Sequence, residues 1–365
     1  MSETFAALLA AHHARYPLLQ PQDYVKLAWQ AAFGPAHLLQ VGENEIQAQL
    51  TEEWQAVPLG STSPDCEPVG GELVRFPLHA GQGTPEAVRL LARLLHATAQ
   101  AHAADPDAFA AMLEQIAALP EPGIAAWIAE YRKKGCPLVG HSEAYRAAYQ
   151  PHYRVLRSDY AYYFPLLLVL QRAADAGKPV LIAIDGCCGS GKTRLAALLA
   201  EVFPCRVFHT DDFYLPAARR TADWQSVPAD WQSVPAGNMD LDRLRREVLE
   251  PARQGADITF RAFDCRGQSL RAPQTVPFAP ITVVEGSYAL HPSLAGAYDR
   301  KIFLTCPSDE QERRLRAREA AHYADFEAIW MPLERLYHRL CGVPEDTVQF
   351  DTGGLLLPPP GFFQQ

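Results

Sequence analysis

Eight residues near the middle of the chain, Gly186-Cys187-Cys188-Gly189-Ser190-Gly191-Lys192-Thr193, limit what it can fold into more than any other stretch. They fit the pattern GxxxxGK[ST], directly after the apolar run Val180-Leu181-Ile182-Ala183-Ile184 and directly before an amphipathic one. A strand, a glycine loop and a helix in that order aim successive backbone N–H groups and the helix N-terminus at one point, where they cradle phosphate oxygens. Lys192 adds a point charge to that cradle, and the Thr193 hydroxyl suits Mg²⁺. Gly186, Gly189, Ser190, Gly191, Lys192 and Thr193 are therefore the candidate phosphate-binding residues. Cys187 and Cys188 fill variable positions of the pattern and are given no role.

The sequence changes character shortly before this loop. Residues 1–176 read as amphipathic helices, at 5–13, 22–33, 43–54, 85–102, 107–119, 123–134 and 160–176, with one strand-like piece at 72–78. From Gly177 onward apolar strands (180–185, 206–210, 257–263, 281–285, 301–306) alternate with helices (192–203, 241–254, 308–321, 326–340), the mark of a parallel α/β sheet. The expectation is a mainly α-helical domain over 1–176, an α/β domain with flanking helices over 177–350, and an extended tail over 351–365. The heptapeptide Ala222 to Pro228 recurs letter for letter as Ala229 to Pro235, which reads as a duplication lengthening a surface loop, at a cost of about 0.6 kcal/mol per doubling.

Composition removes several classes of function. With 33 basic against 42 acidic residues the formal charge is −9, so neither nucleic acid nor a membrane surface is an expected partner. The partner expected is a small molecule, with a homo-oligomer left open. Eight cysteines without a CxxC pair fit neither a disulfide scaffold nor a zinc site. The first residues carry no basic leader and the longest apolar run is short, so the expected location is the cytoplasm.

Carboxylates follow two of the strands. His209-Thr210-Asp211-Asp212-Phe213-Tyr214 puts a pair at the C-terminal edge of the sheet, where ligands bind in open α/β folds. Asp211 is the candidate for orienting an attacking hydroxyl; an Asx-turn is the structural alternative. Glu285, closing Ile281-Thr282-Val283-Val284, is a candidate Mg²⁺ residue, with Asp212 beside it. Of the arginines crowding 313–318, Arg314 and Arg318 are assigned to a lid over the phosphates, against a solvated face paired with Asp309, Glu310, Glu312 and Glu319.

Taken in order, IAIDGCCGSGKT, VFHTDDFYLP, GNMDLDRL, FRAFDCRG and ITVVEGSYALHP resemble the uridine kinase-like branch of P-loop kinases over about residues 178–345. That resemblance implies the P-loop NTPase fold and transfer of the ATP γ-phosphate to a hydroxyl of a small metabolite, with ATP and Mg²⁺ as cofactors. Carried over by motif, Lys192 and Thr193 hold nucleotide and Mg²⁺, Asp211 matches the catalytic Asp, and Tyr214 the aromatic on the acceptor side. Asp212 stands where uridine kinases commonly have Ser. Where their nucleoside pocket has Tyr-Asp-Phe-x-x-His, this chain has Phe263 to Gln268, lacking both phenol and imidazole. Phe263, Gln268, Asn238 and Asp240 are the remaining acceptor-pocket candidates.

The expected function is a kinase with a nucleoside-like acceptor. The alternatives are an ATP-binding regulatory module with little turnover and a phosphotransferase for a non-nucleoside acceptor. Segment 330–337 resembles bacterial uridine kinase-like proteins with an N-terminal extension, which residues 1–176 would match. Within that extension Gly34 to His37, Gly70 to Arg75 and His141 to Arg146 mix polar residues with turn glycines. They line either a second pocket or structural contacts such as a Glu72–Arg75 pair.

Overall fold

The computed structural model describes residues 4–59, 65–216 and 235–354. The chain divides into two compact units, residues 1–171 and residues 172–354. The duplicated heptapeptide, apart from Pro235, and residues 355–365 lie outside the described residues.

In the first unit, α1 (Phe5–Arg15), α2 (Pro21–Phe33) and α3 (Glu43–Gln55) precede β1 (Glu67–Gly70) and β2 (Leu73–Pro77). Then come α4 (Pro85–Ala101), α5 (Pro106–Ala117), α6 (Ile124–Lys133), α7 (Glu143–Tyr149), β3 (Tyr153–Arg157) and α8 (Ser158–Asp175), whose last residues fall in the second unit. The helices start where the sequence supplies caps: Thr4, Thr84, Asp105 and Ser142 each accept a main-chain N–H of the first turn. Leu8, Val25, Leu27, Phe109, Leu113, Ile128 and Val69 form a shared core among these helices and β1. The expectation of a mainly helical unit needs one amendment, because β1, β2 and β3 form an antiparallel sheet of which only the middle strand was anticipated. β1 contains Glu67 and Pro68, and β3 is interrupted by Arg154 and Arg157, so neither has the apolar run that marks a strand.

That sheet carries a buried polar chain. Arg75 is only 2% exposed, and its guanidinium donates to Glu67 at 3.0 Å and to Gln30 at 2.8 and 3.0 Å. Its partner is thus Glu67 across the hairpin, not Glu72, which sits in the turn at φ +61°. Because arginine only donates, its contact with His12 Nε2 fixes the imidazole with Nδ1–H toward Glu67. On the other side Gln30 donates to the Tyr153 hydroxyl, which reaches His141 Nε2, and His141 Nδ1–H meets Asp23. Asp23 also accepts from Gln20, from the Ser142 N–H and from the Ser142 hydroxyl.

The second unit opens with β4 (Val180–Gly186), buried throughout, as a strand covered on both faces must be. It continues with α9 (Lys192–Val202), β5 (Cys205–His209) and α10 (Leu241–Leu244, widening to a π turn over Arg245–Leu249 and closing at Glu250–Arg253). Two small antiparallel pairs follow, β6 (Ile258–Phe260) with β9 (Gln274–Val276) and β7 (Phe263–Asp264) with β8 (Ser269–Leu270). The segment 257–263 therefore does not join the main sheet, as its apolar residues had suggested. The remainder is β10 (Ile281–Glu285), β11 (Arg300–Thr305), α11 (Ser308–Arg318), α12 (Met331–Cys341) and β12 (Val348–Asp351). The main sheet is wholly parallel, in the order β12-β11-β4-β10-β5. Its edge strand β12 begins at Val348, where the sequence had offered only the end of a domain before an extended tail. The π turns stand just ahead of Pro251 and Pro332, each of which lacks the N–H that a regular helix would use. Among the described residues, no helix is long and apolar enough to cross a membrane, and all eight cysteines are free.

Glu67 generates a testable acid sensitivity. Burial opposes its ionisation, but the His12 hydrogen bond and the Arg75 charge outweigh that and hold its pKa at about 2, against 4.5 ordinarily. A carboxyl depressed on folding contributes stability that is full above the unfolded value and lost as pH falls through the folded one. The expected loss for the first unit between about pH 4.5 and pH 2 is on the order of 3 kcal/mol, read from urea midpoints. Glu67→Gln should flatten that slope while costing about 3–5 kcal/mol at neutral pH, since it strands Arg75.

Candidate active site

The site begins with the register of three parallel strands. Glu285 lies level with Ile184 of β4 and with His209 of β5, so the C-terminal ends of all three emerge at one edge. At the end of β4, Gly186 takes φ +145°, and a Cβ there would stand 2.2 Å from the Leu304 carbonyl oxygen of β11. Gly286, at the end of β10, has φ +137° and no room beside the Thr210 side chain. Only glycine fits either place, and both glycines turn the chain off the sheet toward the same edge.

Beyond Gly186 the loop curls over the N-terminus of α9, with Gly189 at φ +75° and Gly191 at φ +94°. The Lys192 ammonium donates to the carbonyls of Gly186 at 2.7 Å and Cys187 at 3.1 Å. Burial pushes its pKa down, but Glu334, Asp185 and Glu285 together outweigh that and leave it raised, so the amine stays charged. Burial pushes both loop thiols, Cys187 and Cys188, up, which keeps them neutral.

Thr193 donates its hydroxyl to Glu285 Oε1 at 3.1 Å, and His209 Nδ1 meets the same oxygen at 2.5 Å. A hydroxyl and a carboxylate meeting beneath a phosphate-binding loop fit Mg²⁺, which binds through one or two protein oxygens with phosphates and water completing its shell. Among the described residues there is no group of three or more His, Cys, Asp or Glu that could hold a metal ion. The Ser190 hydroxyl is buried with no hydrogen-bond partner, a donor inside the loop for a phosphate oxygen. Asp212 makes no side-chain hydrogen bond among the described residues and is not joined to the Thr193–Glu285 pair; burial raises its pKa.

Asp211 follows β5 in the short turn Thr210–Phe213. Its carboxylate is surrounded by protein yet open to solvent, and accepts the Tyr214 hydroxyl at 3.1 Å. Burial raises its pKa, against the pull of Tyr214 and Lys192.

Segment 238–240 is held against 213–215, through the Tyr214–Met239 bridge and the Leu215 N–H on the Asn238 carbonyl, but most of the other acceptor side chains are engaged elsewhere. Asp240 caps α10 by accepting the Arg243 N–H, and it pairs with the Arg243 guanidinium, so its carboxylate is committed to the helix. Gln268 folds back onto Cys265 at the tip of the β7–β8 hairpin, and Phe263 is buried in β7. Asn238 is 3% exposed and its Nδ2 has no partner. Arg314 and Arg318 are not brought together. Arg314 donates to the carbonyls of Gly189 and Thr352 and to Glu310, bracing the loop from outside, whereas Arg318 pairs with Glu319 at the surface.

Three residues that motif reading passed over shape the loop. Asp185, fully buried, accepts the N–H groups of Gly186 and Leu290 and the Tyr337 hydroxyl. Glu334 takes the Cys188 N–H at 2.8 Å and the Ser287 hydroxyl. Thr352 donates to the Ser190 carbonyl at 2.7 Å. The signals were an acidic residue inside the IAID strand and another within segment 330–337.

A parallel α/β sheet with a glycine loop between its central strand and the following helix is the P-loop fold. No family model matches the chain. Among solved structures it is similar to a protein described as a possible uridine kinase from Bacillus stearothermophilus, at 19% identity over 48% of this chain and 89% of that one, with a TM-score of 0.37. It is also similar to a protein assigned as a fructose transport system kinase from Silicibacter sp. TM1040, at 21% identity over 47% and 90% of the two chains, with a TM-score of 0.37.

The His209–Glu285 contact can be checked directly. The Glu285 hydrogen bond raises the His209 pKa above its ordinary 6.5, against the opposing effect of burial. The pair's stability is fully present below the unfolded value and lost as pH rises through the raised folded one. With His209 half exposed the gain is under about 1 kcal/mol, so the readout is its imidazole titration by NMR. The midpoint should lie above 6.5 and fall on Glu285→Gln.

Proposed function

We propose that the second unit is an ATP- and Mg²⁺-dependent phosphotransferase that moves the γ-phosphate onto a hydroxyl of a small, nucleoside-like metabolite. The observation that carries this reading is the convergence at one sheet edge of three things. These are the phosphate loop, the Thr193–Glu285 pair and a solvent-open Asp211 whose electrostatic neighbours include Lys192, Glu285 and His209.

The nucleotide supplies the phosphoryl group and Mg²⁺ neutralises its charge; the rest falls to the protein. Lys192, the loop N–H groups and the Ser190 hydroxyl bind phosphate oxygens. Thr193 and Glu285 present oxygens to the cation. Asp211, oriented by Tyr214, accepts a hydrogen bond from the acceptor hydroxyl and aims its oxygen in line with the phosphorus. Because phosphoryl transfer passes through a loose transition state, this positioning matters more than base strength. With Asp240 and Gln268 committed elsewhere, the acceptor contacts that remain are Asp211, Tyr214 and the unpaired Asn238 amide.

The test is ADP release from Mg-ATP against a panel of nucleosides, vitamins, sugar phosphates and hydroxy acids. One acceptor should stimulate turnover. Lys192→Met should abolish it, and Asp211→Asn should lower it by about 10²–10⁴ while leaving ATP affinity within a few-fold. Lys192→Met turning over at the wild-type rate would contradict the assignment, and tight ATP binding with no stimulated turnover would favour a regulatory module.

A further inference from the structure

The first unit holds a cavity of about 310 Å³, at the lower end of the volumes that accept small-molecule ligands. Its walls are apolar where Trp29, Leu38, Leu95, Leu138 and Val155 meet, and cationic where Lys26 and Arg154 line it, beside a His37 ring whose pKa burial and those two cations push down. Leu138, a large apolar side chain, is 59% exposed. Gln30 and Tyr153 join the cavity to the buried polar chain described above.

Lys26 has no hydrogen bond and no ion pair among the described residues. The carboxylate nearest to hand electrostatically is Asp23, whose two oxygens are already taken by His141, Ser142 and Gln20. Arg154 ion-pairs with Glu53 but keeps its Nε buried without a partner. Burial and the charges of Arg75, Arg146 and Arg154 push the Lys26 pKa down to about 8, the response of an amine in a confined cationic field. No carboxylate lines the cavity. An apolar body with one anionic group is complementary to such walls, because it fills the volume and supplies the counter-charge that Lys26 lacks.

We propose that this cavity binds a small organic anion, a carboxylate or phosphate monoester on an apolar body, with Lys26 as its counter-ion. Two of the motifs set apart in the sequence meet in or beside it: Gly34, Pro35 and His37 line the wall, and Gly140 leads into His141. The site lies within the first unit and does not depend on the phosphotransferase reading.

The test titrates benzoate and phenyl phosphate calorimetrically into the full-length protein, with the phosphate loop saturated by ATP. One probe should bind with millimolar or better affinity, and its identity distinguishes carboxylate from phosphate. Lys26→Met should weaken it at least tenfold. An independent readout is labelling by pyridoxal 5′-phosphate, in which the free amine displaces water at the aldehyde carbon and borohydride reduces the imine. Lys26 should be labelled at least tenfold faster than the exposed Lys133 and Lys134, and the bound probe should protect it, whereas ATP alone should protect only Lys192. Binding of neither probe, binding indifferent to Lys26→Met, or labelling that no anion slows would overturn the proposal.

Discussion

The register that sets Glu285 level with both Ile184 and His209 is the constraint on which the site depends. Parallel pairing fixes which residues reach the edge together, and the two glycines that follow β4 and β10 let the chain leave the sheet there. Move β10 by one residue and Glu285 would face the opposite side of the sheet, away from Thr193 and His209. Neither the loop nor the acidic edge makes a site alone. Their meeting is a property of the sheet, and the burial of β4 on both faces keeps that sheet in register.

How much of this could be read beforehand follows from what each residue does locally. The loop, four of the five strands of the main sheet and the place of Asp211 after one of them were legible because their signals are short-range: an unbroken apolar run, glycines at fixed offsets, a carboxylate at a strand end. β12 was not, because a short edge strand that buries only Phe350 carries little apolar signal. Asp240, a candidate through the resemblance, caps the first turn of α10 three residues on, while Arg314, a candidate through its arginine cluster, is engaged by the carbonyls of Gly189 and Thr352, whose proximity only the fold creates. Arg75 was paired with Glu72 on sequence distance, whereas the hairpin sets it opposite Glu67. Asp185 and Glu334 were missed for the same reason, since their partners stand 105 and 146 residues away.

Both units combine satisfied networks of buried polar groups with a few that are left unpaired. Around Arg75 the donors and acceptors of Glu67, Gln30, Tyr153, His141 and Asp23 satisfy one another, which fixes a unique arrangement of helices and sheet. The edge of that network is another matter, for Lys26 and the Arg154 Nε have no such partner. In the second unit the Ser190 hydroxyl and the Asn238 amide are likewise buried and unpaired. A buried polar atom left unpaired costs about 1–3 kcal/mol, so sites where such atoms cluster beside open space are where a ligand gains most.

An acidic chain can hold the polyanion proposed for it only through short-range contacts. With a net charge of −9, and with Asp185, Glu285 and Glu334 all close enough to raise the Lys192 pKa, no long-range field draws a nucleotide in. Attraction must come at short range, from oriented N–H groups, the Ser190 hydroxyl and one ammonium held charged by its acidic surroundings. Those same carboxylates are arranged so that they face inward. Asp185 is saturated by two N–H groups and a hydroxyl, Glu334 by an N–H and a hydroxyl, and Glu285 shares one oxygen between Thr193 and His209. Their charge therefore serves to keep Lys192 protonated and the loop in shape, while Asp211 at the same sheet edge stays exposed.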